Sequence, residues 1–276
     1  MLAYLCNPMK RIFPGIFLLL LLASCSKFGR LQKSDNLDLK REGAYSYYDK
    51  KDYFRASSLL EGIIPLLKGT ENAEKAEFIY AMCQYELRLL ESASFYFDYF
   101  IETYPRSIYA EEALYMNALS QFESSPVYYL DQGNSDKAIV ALENFINRYP
   151  DSEEKRKKCQ DMISLLNEKL EKKDFENARI FHQIMEYKSA IIVLANFAKD
   201  YPDSPNREEA LYLRIISAFR LARNSTEAKK VERYRQTIDF YTNFADSFPK
   251  SKKLKELEDV FDYSTRQIAQ VNKDSK

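Results

Sequence analysis

The side chains able to do chemistry are few, and their spacing argues against catalysis. The single histidine, His182, stands on a helical stretch beside Phe181 and Ile184, with no cysteine or carboxylate near it at metal-ligand spacing. It reads as a helix-surface or groove residue. Paired acids occur at Glu111-Glu112, Glu153-Glu154 and Glu208-Glu209. Each pair opens a helix, where negative charge meets the positive end of the helix dipole, and that placement accounts for them without a general acid or base. The sequence has no glycine-rich phosphate loop and no G-x-S-x-G nucleophile turn. An enzyme is therefore not expected, and no metal or cofactor is implied.

The cysteine with chemistry in reach is Cys25. Lys10-Arg11 precedes an apolar stretch, Ile12 to Leu22, interrupted only by Pro14-Gly15 and ending in five leucines. That is too short for a transmembrane span and suits the core of a signal peptide, 1–24. It closes on Leu22-Ala23-Ser24-Cys25, which resembles the bacterial lipobox. In that motif the cysteine sulfur takes up diacylglycerol and cleavage then makes the cysteine the first mature residue. Cys25 is the expected lipid attachment site, and more than one acyl chain gives a stable anchor. Met1 to Pro8 form an extension with its own Cys6, so Met9 is a candidate start. Ser26, rather than an acid, follows Cys25, and by resemblance to lipoprotein sorting this favours the outer membrane. The stretch Lys27 to Lys33 lacks acids, which favours a domain facing the periplasm. Residues 25–37 are expected as a lipidated N-terminus and polar tether.

The rest of the chain is organised by four copies of an aromatic-proline-x-serine turn: Tyr104-Pro105-Arg106-Ser107, Tyr149-Pro150-Asp151-Ser152, Tyr201-Pro202-Asp203-Ser204 and Phe248-Pro249-Lys250-Ser251. Each follows the same apolar frame. Ala93, Phe97 and Phe100 precede Pro105; Ala138, Leu142 and Phe145 precede Pro150; Ala190, Leu194 and Phe197 precede Pro202. Thr237, Tyr241 and Phe244 precede Pro249, and a degenerate copy runs Ala56, Leu60, Ile63 and then Lys68 where proline belongs. Steps of four and three put these side chains on one helical stripe, and proline stops the helix. The serine or aspartate beyond is expected to cap the next helix. Small, large, large and proline at these offsets resembles the second helix of a tetratricopeptide repeat. A first helix is present too, with small residues Ala44, Ala81 and Ala178 twelve positions before Ala56, Ala93 and Ala190. The fold class is all-α, a tetratricopeptide-repeat α-α superhelix of about five helix pairs plus a C-terminal helix from about Lys252 to Val271. The repeat domain spans 38–276, with N-terminal repeats about 38–150 and C-terminal repeats about 151–276. Two departures stand out: an inserted loop, Ser124 to Asn134, and a long charged helix between Asp151 and Ala178.

Charge and cysteine usage add limits. The precursor has 41 basic and 41 acidic residues, and removing 1–24 leaves a formal charge of about −2. No basic surplus points to nucleic acid. Cys83 and Cys159 fall on first helices near positions that want a small buried residue, in repeats two steps apart. An oxidising compartment permits pairing, but buried free thiols are expected.

In such an array the first helices line a concave groove. Positions three before, one after and four after the small residue share its inner side. Around Ala44 these are Arg41, Tyr45 and Tyr48; around Ala81 they are Phe78, Met82 and Tyr85; around Ala118, by extension, they are Tyr115, Leu119 and Phe122. They either pack on neighbouring first helices or form a slot for an extended peptide with aromatic or apolar side chains. Arg41, Tyr45, Tyr48, Phe78, Met82 and Tyr85 are the candidate peptide-binding residues.

Lipobox, short tether and five helix pairs together resemble the BamD family of outer-membrane assembly lipoproteins over essentially the whole mature chain. The most telling segments are Tyr48-Asp49-Lys50-Lys51-Asp52-Tyr53, Phe145-Ile146-Asn147-Arg148-Tyr149-Pro150-Asp151-Ser152, and Tyr129-Leu130-Asp131-Gln132 followed by Lys137-Ala138-Ile139. The resemblance implies a non-enzymatic scaffold of the β-barrel assembly machine, lipid-anchored in the outer membrane and facing the periplasm. Its partners would be a BamA-like barrel subunit through the C-terminal repeats and unfolded outer-membrane proteins through the N-terminal repeats. The alternative is a periplasmic tetratricopeptide adaptor for cell-division or peptidoglycan machinery, although the heptads such adaptors often carry are not sustained here.

Overall fold

The computed structural model describes residues 27–274. The signal peptide, Cys6 and Cys25 lie outside the described residues. A short helix, α1 (residues 27–33), precedes α2 (Leu37–Asp49), α3 (Tyr53–Leu67), α4 (Ala73–Glu86), α5 (Leu90–Thr103), α6 (Ala110–Ser124) and α7 (Gly133–Arg148). The chain continues as α8 (Glu153–Gln183), α9 (Tyr187–Asp200), α10 (Arg207–Arg223), α11 (Glu227–Ser247) and α12 (Leu254–Asp274). No strand occurs among the described residues. The five pairs are α2–α3, α4–α5, α6–α7, α8–α9 and α10–α11, with α12 as the C-terminal helix. This is the all-α, tetratricopeptide-like organisation that the repeat frame predicts.

The chain divides into two units. One holds the residues up to Pro126 together with Asp131–Ile163; the other holds Val127–Leu130 and the residues from Ser164 on. The division falls inside α8, the 31-residue first helix of the fourth pair.

In the first unit the small residues Ala44, Ala56, Ala81 and Ala93 are fully buried, as are Leu60, Ile63, Phe97, Phe100, Leu142 and Phe145. In the second, Ala190, Leu194, Phe197, Thr237 and Phe244 occupy the same places in the core. Tyr241 differs. It is half-buried and lies over Phe261 of α12 at 5.0 Å, because the terminal helix offers it a ring at the edge of the core.

Each aromatic before the proline is the C-cap of its helix. The backbone N–H of Tyr104, Tyr149, Tyr201 and Phe248 donates to the carbonyl of the phenylalanine four residues earlier. The two rings of each pair also meet, at 5.1–5.6 Å. Proline follows and supplies no N–H, so the helix cannot continue.

The serine of this turn does something other than cap the next helix. Its hydroxyl donates to a glutamate of the preceding first helix, in the first turn of α4, α6 and α10 but well inside the long α8: Ser107 to Glu74, Ser152 to Glu111 at 2.9 Å, Ser204 to Glu171 at 2.6 Å and Ser251 to Glu208 at 2.7 Å. In three of the four it also accepts the N–H two residues on. The carboxylate wins the hydroxyl because a charged acceptor makes the stronger bond. Glu111 and Glu208 thus bind the next turn as well as sitting at a dipole end.

Inside the pairs, Lys51, Arg88 and Met185 take the left-handed conformation, each seven residues past the buried alanine. At the first two, paired bonds such as Lys51 N to Tyr48 O (2.8 Å) and Asp52 N to Tyr47 O (2.9 Å) close the helix end. At Lys51 and Arg88 those bonds offset the steric cost, and Met185 keeps one of them, its N–H donating to His182 O at 3.1 Å.

The polar tether is shorter than expected. Residues 27–33 are helical, and Phe28 and Leu31 pack on the core of the first pair, with Phe28 edge-on to Tyr47 at 5.9 Å. Gly43 makes room, since a Cβ there would come within 2.8 Å of Leu31 Cδ1. Among the described residues, 34–36 remain as link.

Candidate functional site

The nine inner positions of α2, α4 and α6 are all half-buried. Their register follows from Ala44, Ala81 and Ala118, each fully buried, which fix which way the helices face. Burial stops short of completeness along the whole row.

The structure brings these side chains together in clusters. Phe78 stacks flat on Tyr109 at 4.7 Å and reaches Phe100 of its own pair at 5.7 Å. Tyr45 presents its ring to the Lys75 ammonium at 4.8 Å, and its buried hydroxyl has no hydrogen-bond partner among the described residues. Burial pushes that phenol above its ordinary range, against the nearby Arg41 charge. Tyr48 lies edge-on to Tyr53 at 5.7 Å, close to Cys83, and burial pushes it up to about 12. Tyr85 donates to Glu123 Oε1 at 2.8 Å, and the other oxygen of Glu123 takes Arg88. Burial and that carboxylate hold Tyr85 at about 12. All these hydroxyls are neutral donors at ordinary pH.

Arg41 is engaged by Asp38 at 2.9 Å and Glu42 at 3.2 Å. Tyr115 turns to Phe145 of its own pair at 5.5 Å and to Lys155 Nζ at 5.7 Å from its ring. Met82, Leu119 and Phe122 complete the half-buried row. Phe78 and Tyr115 reach rings of the second helix of their own pair, and all nine side chains keep a partly exposed side. Tyr109, Lys75, Glu123 and Arg88 belong to the same surface and were not marked by the repeat register. Glu123 lies five residues past Ala118, outside the three-four spacing of the row.

Cys83 and Cys159 are buried free thiols, pushed by burial to about 12 and about 11. His182 sits beside Ser217 Oγ at 2.8 Å, and burial and Arg220 hold its pKa below the ordinary value. Among the described residues no group of His, Cys, Asp and Glu is placed to hold a metal ion. No described helix is long and apolar enough to cross a membrane.

Residues 41–184 and 180–273 match the YfiO family, described as outer membrane lipoprotein. The chain belongs to that family. The match runs from Arg41 into α12, so it takes in residues of both units. Membership in the YfiO family associates the protein with the outer membrane. The chain is also 27% identical over 133 residues to the outer membrane protein assembly factor BamD of Caulobacter vibrioides. That similarity covers 48% of this chain and 43% of the relative, so less than half of the curated relative's length is spanned.

Proposed function

We propose that this protein is a non-enzymatic scaffold of the outer membrane's β-barrel assembly machinery, anchored through lipidated Cys25 with its helical repeats facing the periplasm. The N-terminal repeats hold unfolded outer-membrane proteins whose last strand ends in an aromatic residue. The C-terminal repeats dock on a BamA-like barrel subunit. There is no covalent step; binding energy does the work, by keeping an extended strand near the membrane until the barrel subunit takes it.

The observation that carries this function is the half-buried row on α2 and α4, Tyr45, Tyr48, Met82 and Tyr85. An aromatic side chain laid along it gains ring and thioether contacts without disturbing the alanines beneath. The phenols give the row donors that stay protonated at physiological pH. The name of the Caulobacter relative, an assembly factor, supports the assignment to this machinery.

Crosslinking in the native membrane followed by affinity purification tests it. Recovery of a barrel subunit together with unfolded outer-membrane proteins is expected. Recovery of division or wall-synthesis proteins, with no barrel subunit, would overturn it in favour of an adaptor role.

A further inference from the structure

A second site lies between α3, α4 and α5, away from the groove row. A cavity of about 250 Å³ is lined by Glu61, Ile64, Pro65 and Lys68 of the first pair and by Glu77, Tyr80, Tyr96 and Tyr99 of the second. Tyr80 and Tyr96 meet edge to face at 4.8 Å, and Tyr80 is nearly buried, while Tyr99 is 39% exposed at the mouth.

Glu77 is the feature that needs an explanation. It is only 6% exposed, an unusual place for a carboxylate. One oxygen accepts the Tyr104 hydroxyl at 3.2 Å; the other, Oε2, is buried without a partner among the described residues. Leaving such an oxygen unsatisfied costs more than a hydrogen bond gains. Desolvation raises the Glu77 pKa, outweighing the Tyr104 hydrogen bond and the charge of Lys68. A second carboxylate, Glu61, is near enough to the Tyr80 hydroxyl to raise its pKa as well. Pro65, in the last turn of α3, offers no N–H to the Glu61 carbonyl four residues back, which adds an acceptor short of its helical donor.

The chain already shows what these rings attract. The Lys68 ammonium lies 5.8 Å from the Tyr99 ring centre and 3.4 Å from its hydroxyl. It stands at the mouth and leaves Glu77 Oε2 unmet. The cavity volume is that of a side chain rather than of a free metabolite, for which pockets of about 300–1,000 Å³ are usual.

We infer that this cavity receives a cationic side chain, an arginine of a partner protein, stacked among Tyr80, Tyr96 and Tyr99 with its charge on Glu77. A guanidinium suits it because it is planar, stacks on rings and carries several donors for separate acceptors. The site is independent of the aromatic row, and its loss would leave binding along α2 and α4 intact.

The test is an NMR titration of the purified full chain, ring-labelled at tyrosine, with three probes: acetyl-arginine methylamide, its citrulline analogue and acetyl-phenylalanine methylamide. Citrulline keeps the shape and removes the charge. The arginine probe is expected to shift Tyr80, Tyr96 and Tyr99 saturably while Tyr201 and Tyr212 stay still. Citrulline is expected to bind at least about tenfold more weakly, and Glu77→Gln to weaken arginine binding by about tenfold or more. Equal binding of arginine and citrulline, preference for phenylalanine, or no movement of these three tyrosines would each overturn the proposal. The probe comparison uses the unaltered chain, so it decides the matter even if Glu77→Gln proves unstable.

Discussion

The two units share one buried frame and line their first helices differently. Glu111-Glu112-Ala113-Leu114-Tyr115 in α6 recurs as Glu208-Glu209-Ala210-Leu211-Tyr212 in α10, which sets Ile215 in the place of Ala118. On that register the inner row of the second unit is Phe175, Arg179 and His182 on α8, then Tyr212, Ile216 and Phe219 on α10. The first unit's row is tyrosine-rich, and its Tyr85 answers to Glu123. In the second, Arg179 pairs with Glu176 at 2.6 Å and His182 with Ser217 at 2.8 Å. Truncating a large buried side chain of the frame opens a cavity, whereas the half-buried row above it can change chemistry at less structural cost. Under the function proposed above, binding falls to the row and stability to the frame.

The sharpest way to break this equivalence is to empty the frame in each unit. Phe100→Ala in the first and Phe197→Ala in the second each remove a buried ring and are expected to cost about 3–5 kcal/mol. Local hydrogen exchange within each unit measures the loss. Similar values support a common frame; a loss confined to one unit breaks it. Smaller effects are expected at the serine turns. Ser107→Ala and Ser204→Ala each remove a donor to a carboxylate and should cost about 1–2 kcal/mol in their own units. Equal losses would show that the tie to Glu74 does the same work as the tie to Glu171.

The smallest expected effects are on pH dependence, and they carry opposite signs in the two units. Glu77 has a folded pKa raised above the usual 4.5, so its proton favours the folded state; stability from it is present below 4.5 and lost as pH rises through the raised value. His182 has a folded pKa lowered from 6.5, so the neutral ring favours the folded state; stability is present above 6.5 and lost as pH falls through the lowered value. Melting temperatures across this range should lose the first trend in Glu77→Gln and the second in His182→Gln. An unchanged pH profile in either variant would remove that group from the account.

The frame was legible in the sequence because it is local. Alanine, two bulky apolar residues and proline at fixed offsets describe one helix and its end, and Phe97, Leu142 and Phe244 are buried where that pattern puts them. The features that were not legible depend on partners far along the chain. Ser107 and Glu74 are 33 residues apart and Ser251 and Glu208 are 43 apart, so the serine alone looked like a cap. The left-handed Lys51, Arg88 and Met185 carry no glycine to mark them. Helix α1 reads as tether because only Phe28 and Leu31 reveal its packed side. Of the groove row, spacing gave the half-buried side chains; which of them turn inward, as Phe78 does onto Tyr109, is settled by neighbours on other helices.

We propose that the row on α2 and α4 binds an aromatic-ended extended strand. The most direct test is titration of the full chain with a peptide copying the last strand of an outer-membrane barrel protein, terminal aromatic included. Tyr48→Glu and Met82→Glu are compared with the unaltered chain, with helicity monitored alongside. The account predicts saturable binding that either substitution abolishes while helicity is kept. Unaltered affinity in variants of intact helicity would contradict it.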